Sequence, residues 1–262
     1  MRHDMDATIS RNVALLLEYD GTRYAGFQLQ SNATTIQEKL EQAIERLTLE
    51  VVRVHGAGRT DQGVHALGQV AAFSTGSELS CERLVGGLNH FLPEDIAVRA
   101  AYDVPAGFDP RRDALSRVYR YTFLQQGTRS PLGERYAYRI SEPTDDEAMR
   151  VALKSLEGEH DFACLSGQVP AGKSTVRQVY ATKLWREDSL TRFEVEANAF
   201  LPHQMRRIGG LLLAVGVGRL SPEGSRAMLD GHIATGLETE VKTLPSQGLC
   251  LMRVNYEDFE PE

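Results

Sequence analysis

Cysteine is scarce in this sequence. Cys81, Cys164 and Cys250 are the whole supply, and they stand far apart with no C-x-x-C pair. That excludes a disulfide framework and a thiolate zinc centre, and it suits a reducing cytoplasm. Long apolar runs are missing too. No stretch approaches the roughly 18 residues that a membrane span needs, and the early candidate at residues 13–17 is only strand-sized. Residues 1–12 mix charged and polar side chains without the apolar centre of a secretory signal, so they read as a flexible terminus. Internal repeats and low-complexity segments are also lacking. So is an excess of positive charge: 29 Lys and Arg stand against 36 Asp and Glu, for a net charge of −7. This balance speaks against indiscriminate binding of polyanions. RNA recognition needs only a local basic field, however, and Arg111 with Arg112, Arg117 with Arg120, and Arg206 with Arg207 provide clusters for one.

What is present has the ordinary balance of a globular protein, 42% hydrophobic and 25% charged over 262 residues, which is enough for one large domain or two packed ones. Residues 13–19 read as a strand closed by the turn pair Asp20 and Gly21. Thr35 with Glu38 forms a capping box, and Ile36, Leu40, Ala43, Ile44 and Leu47 make one apolar helix face behind it. Residues 51–54 and 66–73 read as strands. Ser80 caps a helix that Pro93 ends, and residues 96–102 alternate as a strand. The Pro- and Gly-containing stretch 104–110 is the candidate internal boundary. Beyond it come a strand at 117–123, a second capping box from Thr144 and Glu147, and a strand pair at 175–186 and 190–197 turning near Asp188. A glycine-bearing helix at 203–217 and a final strand at 249–256 complete the chain. Strands and helices mix without strict alternation, which predicts an α+β fold with antiparallel sheet.

Three motifs bear on chemistry. Gly167, Gly172, Lys173 and Ser174 complete the phosphate-loop pattern G-x-x-x-x-G-K-[ST]. That motif needs a helix after it, yet TVRQVYAT at 175–182 alternates as a strand, so a nucleotide site is not expected. Gly56 and Gly58 begin a dinucleotide fingerprint that fails at Asp61, where a carboxylate would repel a pyrophosphate. The remaining loop, GRTDQGVH at 58–65, lets the backbone approach a ligand closely. Arg59 can then hold a phosphate while Asp61 acts on the sugar or base. Spacing alone fits equally a tight turn in which the two merely pair, worth under about 1 kcal/mol if exposed. His65 has no second His or Cys at ligand spacing and reads as support for the loop. Arg117, Tyr119, Tyr121 and Phe123 share one strand face that could form a base-stacking platform; Tyr121 and Phe123 read instead as ordinary core, and Tyr119 fits either. On the helix at 203–217, Arg206 or Arg207 should meet a carboxylate or a phosphate.

Read in order, these residues resemble the TruA family of tRNA pseudouridine synthases. The matching blocks are EYDGTRYAGFQLQ at 18–30, TIQE at 35–38, GRTDQGVHA at 58–66 with Gln69 and Val70, and Leu88 and Asn89 before LPEDI at 92–96. Phe108 and Arg111 precede RVYRY at 117–121. GEHDF at 158–162, Phe200 and Leu201, Met205 and Arg206, Gly210, and Gly248 with Leu249 complete the series. The resemblance implies two ferredoxin-like halves, residues 13–105 and 106–262, joined through a largely antiparallel sheet with the active cleft between them. It implies a homodimer that grips tRNA and isomerises uridine to pseudouridine at positions 38, 39 and 40 of the anticodon stem-loop, without metal, nucleotide or other cofactor and away from any membrane. Asp61 matches the family's catalytic carboxylate. Tyr119, Arg59, Arg206 and Leu249 match its substrate-binding residues, with Gly58, Thr60 and His65 supporting the loop. Phe27, Gln62, Pro202 and Gln204 depart from the family pattern.

Overall fold

The computed structural model describes residues 10–231, 241–257 and 259–261. Ten strands form one sheet: β1 (Arg11–Tyr19), β2 (His55–Gly56), β3 (His65–Thr75), β4 (Ile96–Val104), β5 (Ser116–Gln125), β6 (Tyr138–Ile140), β7 (Gly158–Asp161), β8 (Val176–Glu187), β9 (Leu190–Ala197) and β10 (Leu249–Asn255). The helices are α1 (Ile36–Thr48), α2 (Cys81–Phe91), α3 (Asp146–Lys154), α4 (Gln204–Gly216) and α5 (Pro222–Leu229). The sheet runs β4-β1-β3-β10-β5-β9-β8-β7, with β2 beside β3 and β6 beside β5. All pairings are antiparallel except β10 with β3 and β5 with β6. The mixed α+β class with a mostly antiparallel sheet is therefore as expected.

Local chemistry explains most boundaries. The Thr35 and Glu38 capping box is formed at the start of α1, and Ser80 caps α2 by accepting from the Arg83 amide. The expected box at α3 is not formed. Asp145 is the cap there, its carboxylate accepting from the Glu147 and Ala148 amides, while Thr144 bonds sideways to Asp146. A carboxylate one residue closer to the helix outcompetes the hydroxyl because it suits the positive helix end. The strand expected at 51–54 lies instead at His55–Gly56. The terminus read at 1–12 is also corrected: Arg11 and Asn12 already pair with Thr75 and Ser74 in the sheet, and residues 1–9 lie outside the described residues.

Helix α2 packs on β4 and against α1, whereas α3 packs on β8 and against α4. Beneath the second pair lies a ring cluster of Tyr121, Phe123 and Phe193, all fully buried. Strand β10 brings the final residues between β3 and β5, pairing with β3 through Cys250 and Leu251 opposite His65 and Ala66. β2 meets β3 farther along, at Ala71 and Ala72. The connection 57–64 must therefore return along β3 to its first residue, beside the seam where β10 enters the sheet.

Candidate active site

The loop 57–64 is fixed from below by buried polar groups. Gln69, fully buried on β3, donates to the Gly58 carbonyl at 2.8 Å and accepts from its amide at 3.3 Å. The Tyr19 and Thr60 hydroxyls lie 2.9 Å apart in the core, and the Thr60 carbonyl accepts from the Phe27 amide at 3.1 Å. Arg117 donates to the Ala57 carbonyl at 3.0 Å, and to the carbonyls of Asn198, Ala114 and Arg111. Such donors matter because an unpaired buried backbone group costs about 1–3 kcal/mol. Arg117 is thus no part of an open basic platform, and burial lowers its pKa. Arg120 is likewise engaged, by Glu194 at 2.7 Å, and Arg112 by Asp109 at 2.7 Å.

His65 closes the loop at its far end. Its imidazole is buried, and burial lowers its pKa more strongly than neighbouring Asp20 raises it. The neutral ring accepts the Gly21 amide at Nδ1 (3.2 Å) and meets Tyr136 edge-on at 5.1 Å. Asp20 beside it is itself partly buried, which opposes ionisation. Hydrogen bonds from Thr22, Arg135 and Tyr136 outweigh that burial and hold its carboxyl well below the usual carboxylate range. His65 thus joins the loop to the Gly21 turn and to Tyr136. Among the described residues, no cluster of His, Cys, Asp and Glu could hold a metal ion.

Asp61 stands on this platform at a cavity of about 550 Å³, with Thr22, Gln62, Gly63, His203, Arg206, Ser246 and Gln247 around it. Its side chain is 38% exposed. Arg206 Nη1 lies 3.7 Å from Asp61 Oδ2, and His203 Nε2 lies 3.6 Å from the same oxygen. The placement of Arg206 follows from a glycine. A Cβ at Gly210 would meet the Lys242 carbonyl oxygen at 2.0 Å, so only glycine lets the chain at 242–244 press against α4. Leu244 then exchanges two bonds with Arg206, its carbonyl accepting from Nε at 2.6 Å and its amide donating to the Arg206 carbonyl at 3.2 Å. The Tyr121 hydroxyl fixes the same segment through the Pro245 carbonyl at 2.8 Å. Nη1 is left toward the carboxylate. Arg207, one residue on, turns to the Cys164 carbonyl at 3.3 Å.

The other expected residues sit close by but do not line the cavity. Tyr119 is 8% exposed and packs edge-on against Phe200 at 5.0 Å. Its hydroxyl lies 3.5 Å from where a Gly58 Cβ would stand, beneath the loop. Burial first, with the Asp61 carboxylate adding to it, raises its pKa, so it is a neutral phenol. Leu249 is buried at the start of β10, two residues after Gln247. Arg59 is exposed, and no partner among the described residues engages its guanidinium. Of the departures, Phe27 is buried against Gly56, Gln62 is exposed at the cavity, and the Gln204 side-chain oxygen Oε1 accepts from the Leu201 amide at 2.8 Å. Sequence reasoning missed His203, which lies three residues before Arg206 and is the N-cap of α4. The loop 167–174 runs straight into β8, with no helix to complete a phosphate site.

The structure thus sets a carboxylate, Asp61, beside the Arg206 guanidinium in an open polar cavity. A profile of the family described as tRNA pseudouridine synthase matches residues 16–111 and 152–257. The chain belongs to the tRNA pseudouridine synthase family. It is 44% identical to tRNA pseudouridine synthase A of Geobacter sp. (strain M21) over 94% of this chain and 99% of that one. It is 43% identical to the protein of the same name from Citrifermentans bemidjiense, over 95% and 98%. With that of Geobacter sulfurreducens the identity is 41%, over 94% and 100%. Members of this family are isomerases.

Proposed function

We propose that this protein isomerises uridine to pseudouridine at positions 38, 39 and 40 in the anticodon stem-loop of tRNA, with Asp61 as the catalytic carboxylate. The observation that carries the reading is the placement of Asp61 Oδ2 between Arg206 and His203 at an open cavity. In the reaction the bond between N1 and the sugar C1′ breaks, the uracil turns, and C5 bonds to C1′. The proton leaves C5 and N1 gains one, so nothing is oxidised or consumed. Asp61 serves as the carboxylate that attacks the sugar or removes a sugar proton. The target base must leave its stack to reach such a cavity. Exposed Arg59 is suited to the opened backbone, Tyr119 and Leu249 to the buried side of the base, and Arg206 to Asp61.

The same proposal takes the chain as two ferredoxin-like halves, 13–105 and 106–262, meeting at the β10 seam, and as a cytoplasmic homodimer that holds one tRNA across both copies. Among the described residues no helix is long and apolar enough to cross a membrane. Sedimentation with and without tRNA tests the dimer. A fall in tRNA affinity with rising salt tests the local basic field against the net charge of −7. Tritium release from tRNA carrying C5-labelled uridine, with wild type and Asp61→Ala, tests the chemistry. Release by wild type alone supports the assignment. Binding without release by both proteins would favour an RNA-binding role instead.

A further inference from the structure

His203 begins α4 with φ at 59°, in the left-handed region that few residues other than glycine enter, and its side chain makes no cap bond to the helix. A residue held there without serving the helix invites another explanation. Its imidazole Nε2 lies 3.6 Å from Asp61 Oδ2, on the oxygen that Arg206 Nη1 also approaches. No donor among the described residues engages Oδ1. Catalytic contacts of this length tighten when substrate binds. An imidazole with a proton on Nε2 can donate to Oδ2 whether or not the ring is charged.

The opposite edge of the ring is shaped by Gly167. A Cβ there would come within 3.0 Å of His203 Nδ1 and 3.4 Å of its Cγ. The Gly167 amide also donates to the Pro202 carbonyl at 2.7 Å, so the glycine is tied to the residue before the imidazole. A side chain at 167 would therefore push the ring rather than move away from it. This gives a use to the first glycine of the phosphate-loop look-alike, whose remaining residues have none at the site.

We propose that His203 is a positioning residue for the isomerisation. With Arg206 it holds Asp61 by Oδ2, leaving Oδ1 free for the ribose, and Gly167 keeps the imidazole in place. The proposal rests on Asp61 being the catalytic carboxylate, and wild type run beside Asp61→Ala reports on that premise separately.

The test compares His203→Gly with His203→Gln under single-turnover and steady-state conditions on unmodified tRNA. Glycine accepts the left-handed backbone and removes the ring. Glutamine carries an amide donor to the position of Nε2, on a backbone that already holds a non-glycine residue. His203→Gly should lower kcat about tenfold with KM little changed, and His203→Gln should recover most of the loss. Gly167→Ala should lower kcat in the same direction, and the double variant Gly167→Ala/His203→Gly should be no slower than His203→Gly alone. Unchanged kcat in His203→Gly, or a rise in KM at constant kcat, would overturn the role. Additive losses in the double variant would overturn the coupling to Gly167. Matching thermal midpoints for the variants separate these effects from misfolding.

Discussion

Two glycine-rich loops in this protein carry motifs of similar appeal in one-letter code, and they fold to opposite ends. The loop 57–64 is held by side chains from three distant strands: Gln69 on β3 at the Gly58 backbone, Tyr19 on β1 at the Thr60 hydroxyl, and Arg117 on β5 at the Ala57 carbonyl. The loop 167–174 is held at its first residue by the Pro202 carbonyl and is exposed from residue 170 to residue 174. The first presents Asp61 to a cavity, while the second carries Lys173 into solvent. The difference lies in what stands underneath. A motif becomes a site when buried donors and acceptors fix its backbone, and geometry within about half an ångström is what chemistry requires.

The comparison can be broken most severely at Arg117. Arg117→Met removes a guanidinium shared among four carbonyls and should destabilise the protein by about 3 kcal/mol, read from urea unfolding midpoints. Retained stability would mean that loop 57–64 does not depend on this clamp. Gln69→Leu leaves both polar groups of Gly58 without their partner, for a loss of about 2 kcal/mol and a lower kcat as Asp61 loses its footing.

Asp20 sharpens the contrast through pH. Its folded pKa lies below the unfolded value of about 3.9, so its contribution is complete above that value and fades as pH falls toward the folded pKa. Asp20→Asn should therefore cost about 1–2 kcal/mol at pH 7 and progressively less below pH 4, measured by paired denaturation curves. The smallest effect belongs to the other loop. Lys173→Ala should change stability by less than about 0.5 kcal/mol, and neither it nor wild type should show saturable ATP binding by calorimetry.

Much of this was legible in the residues. The motif order singled out Asp61, which does line a cavity, the Thr35 and Glu38 box placed α1, and the alternation after Lys173 ruled out the helix that a phosphate loop needs. What was hidden involves backbone partners. Arg117 read as a platform residue because the four carbonyls it serves carry no sequence identity. Tyr121 read as core, which it is, yet its hydroxyl also holds Pro245 and through it the segment that aims Arg206. The close approach at Gly210 depends on residues 242–244, far along the chain, and no local pattern announces it. Asp145 displaced Thr144 as a cap because two candidates stood side by side and only charge separated them.

The most direct measurement places the two loops side by side: single-turnover pseudouridine formation on unmodified tRNA by Asp61→Asn and Lys173→Ala, each verified as folded by its thermal midpoint. The structure predicts a loss of at least about a hundredfold for Asp61→Asn and a wild-type rate for Lys173→Ala. A near-normal rate in Asp61→Asn, or a collapse in Lys173→Ala, would contradict the assignment of catalysis to the fastened loop.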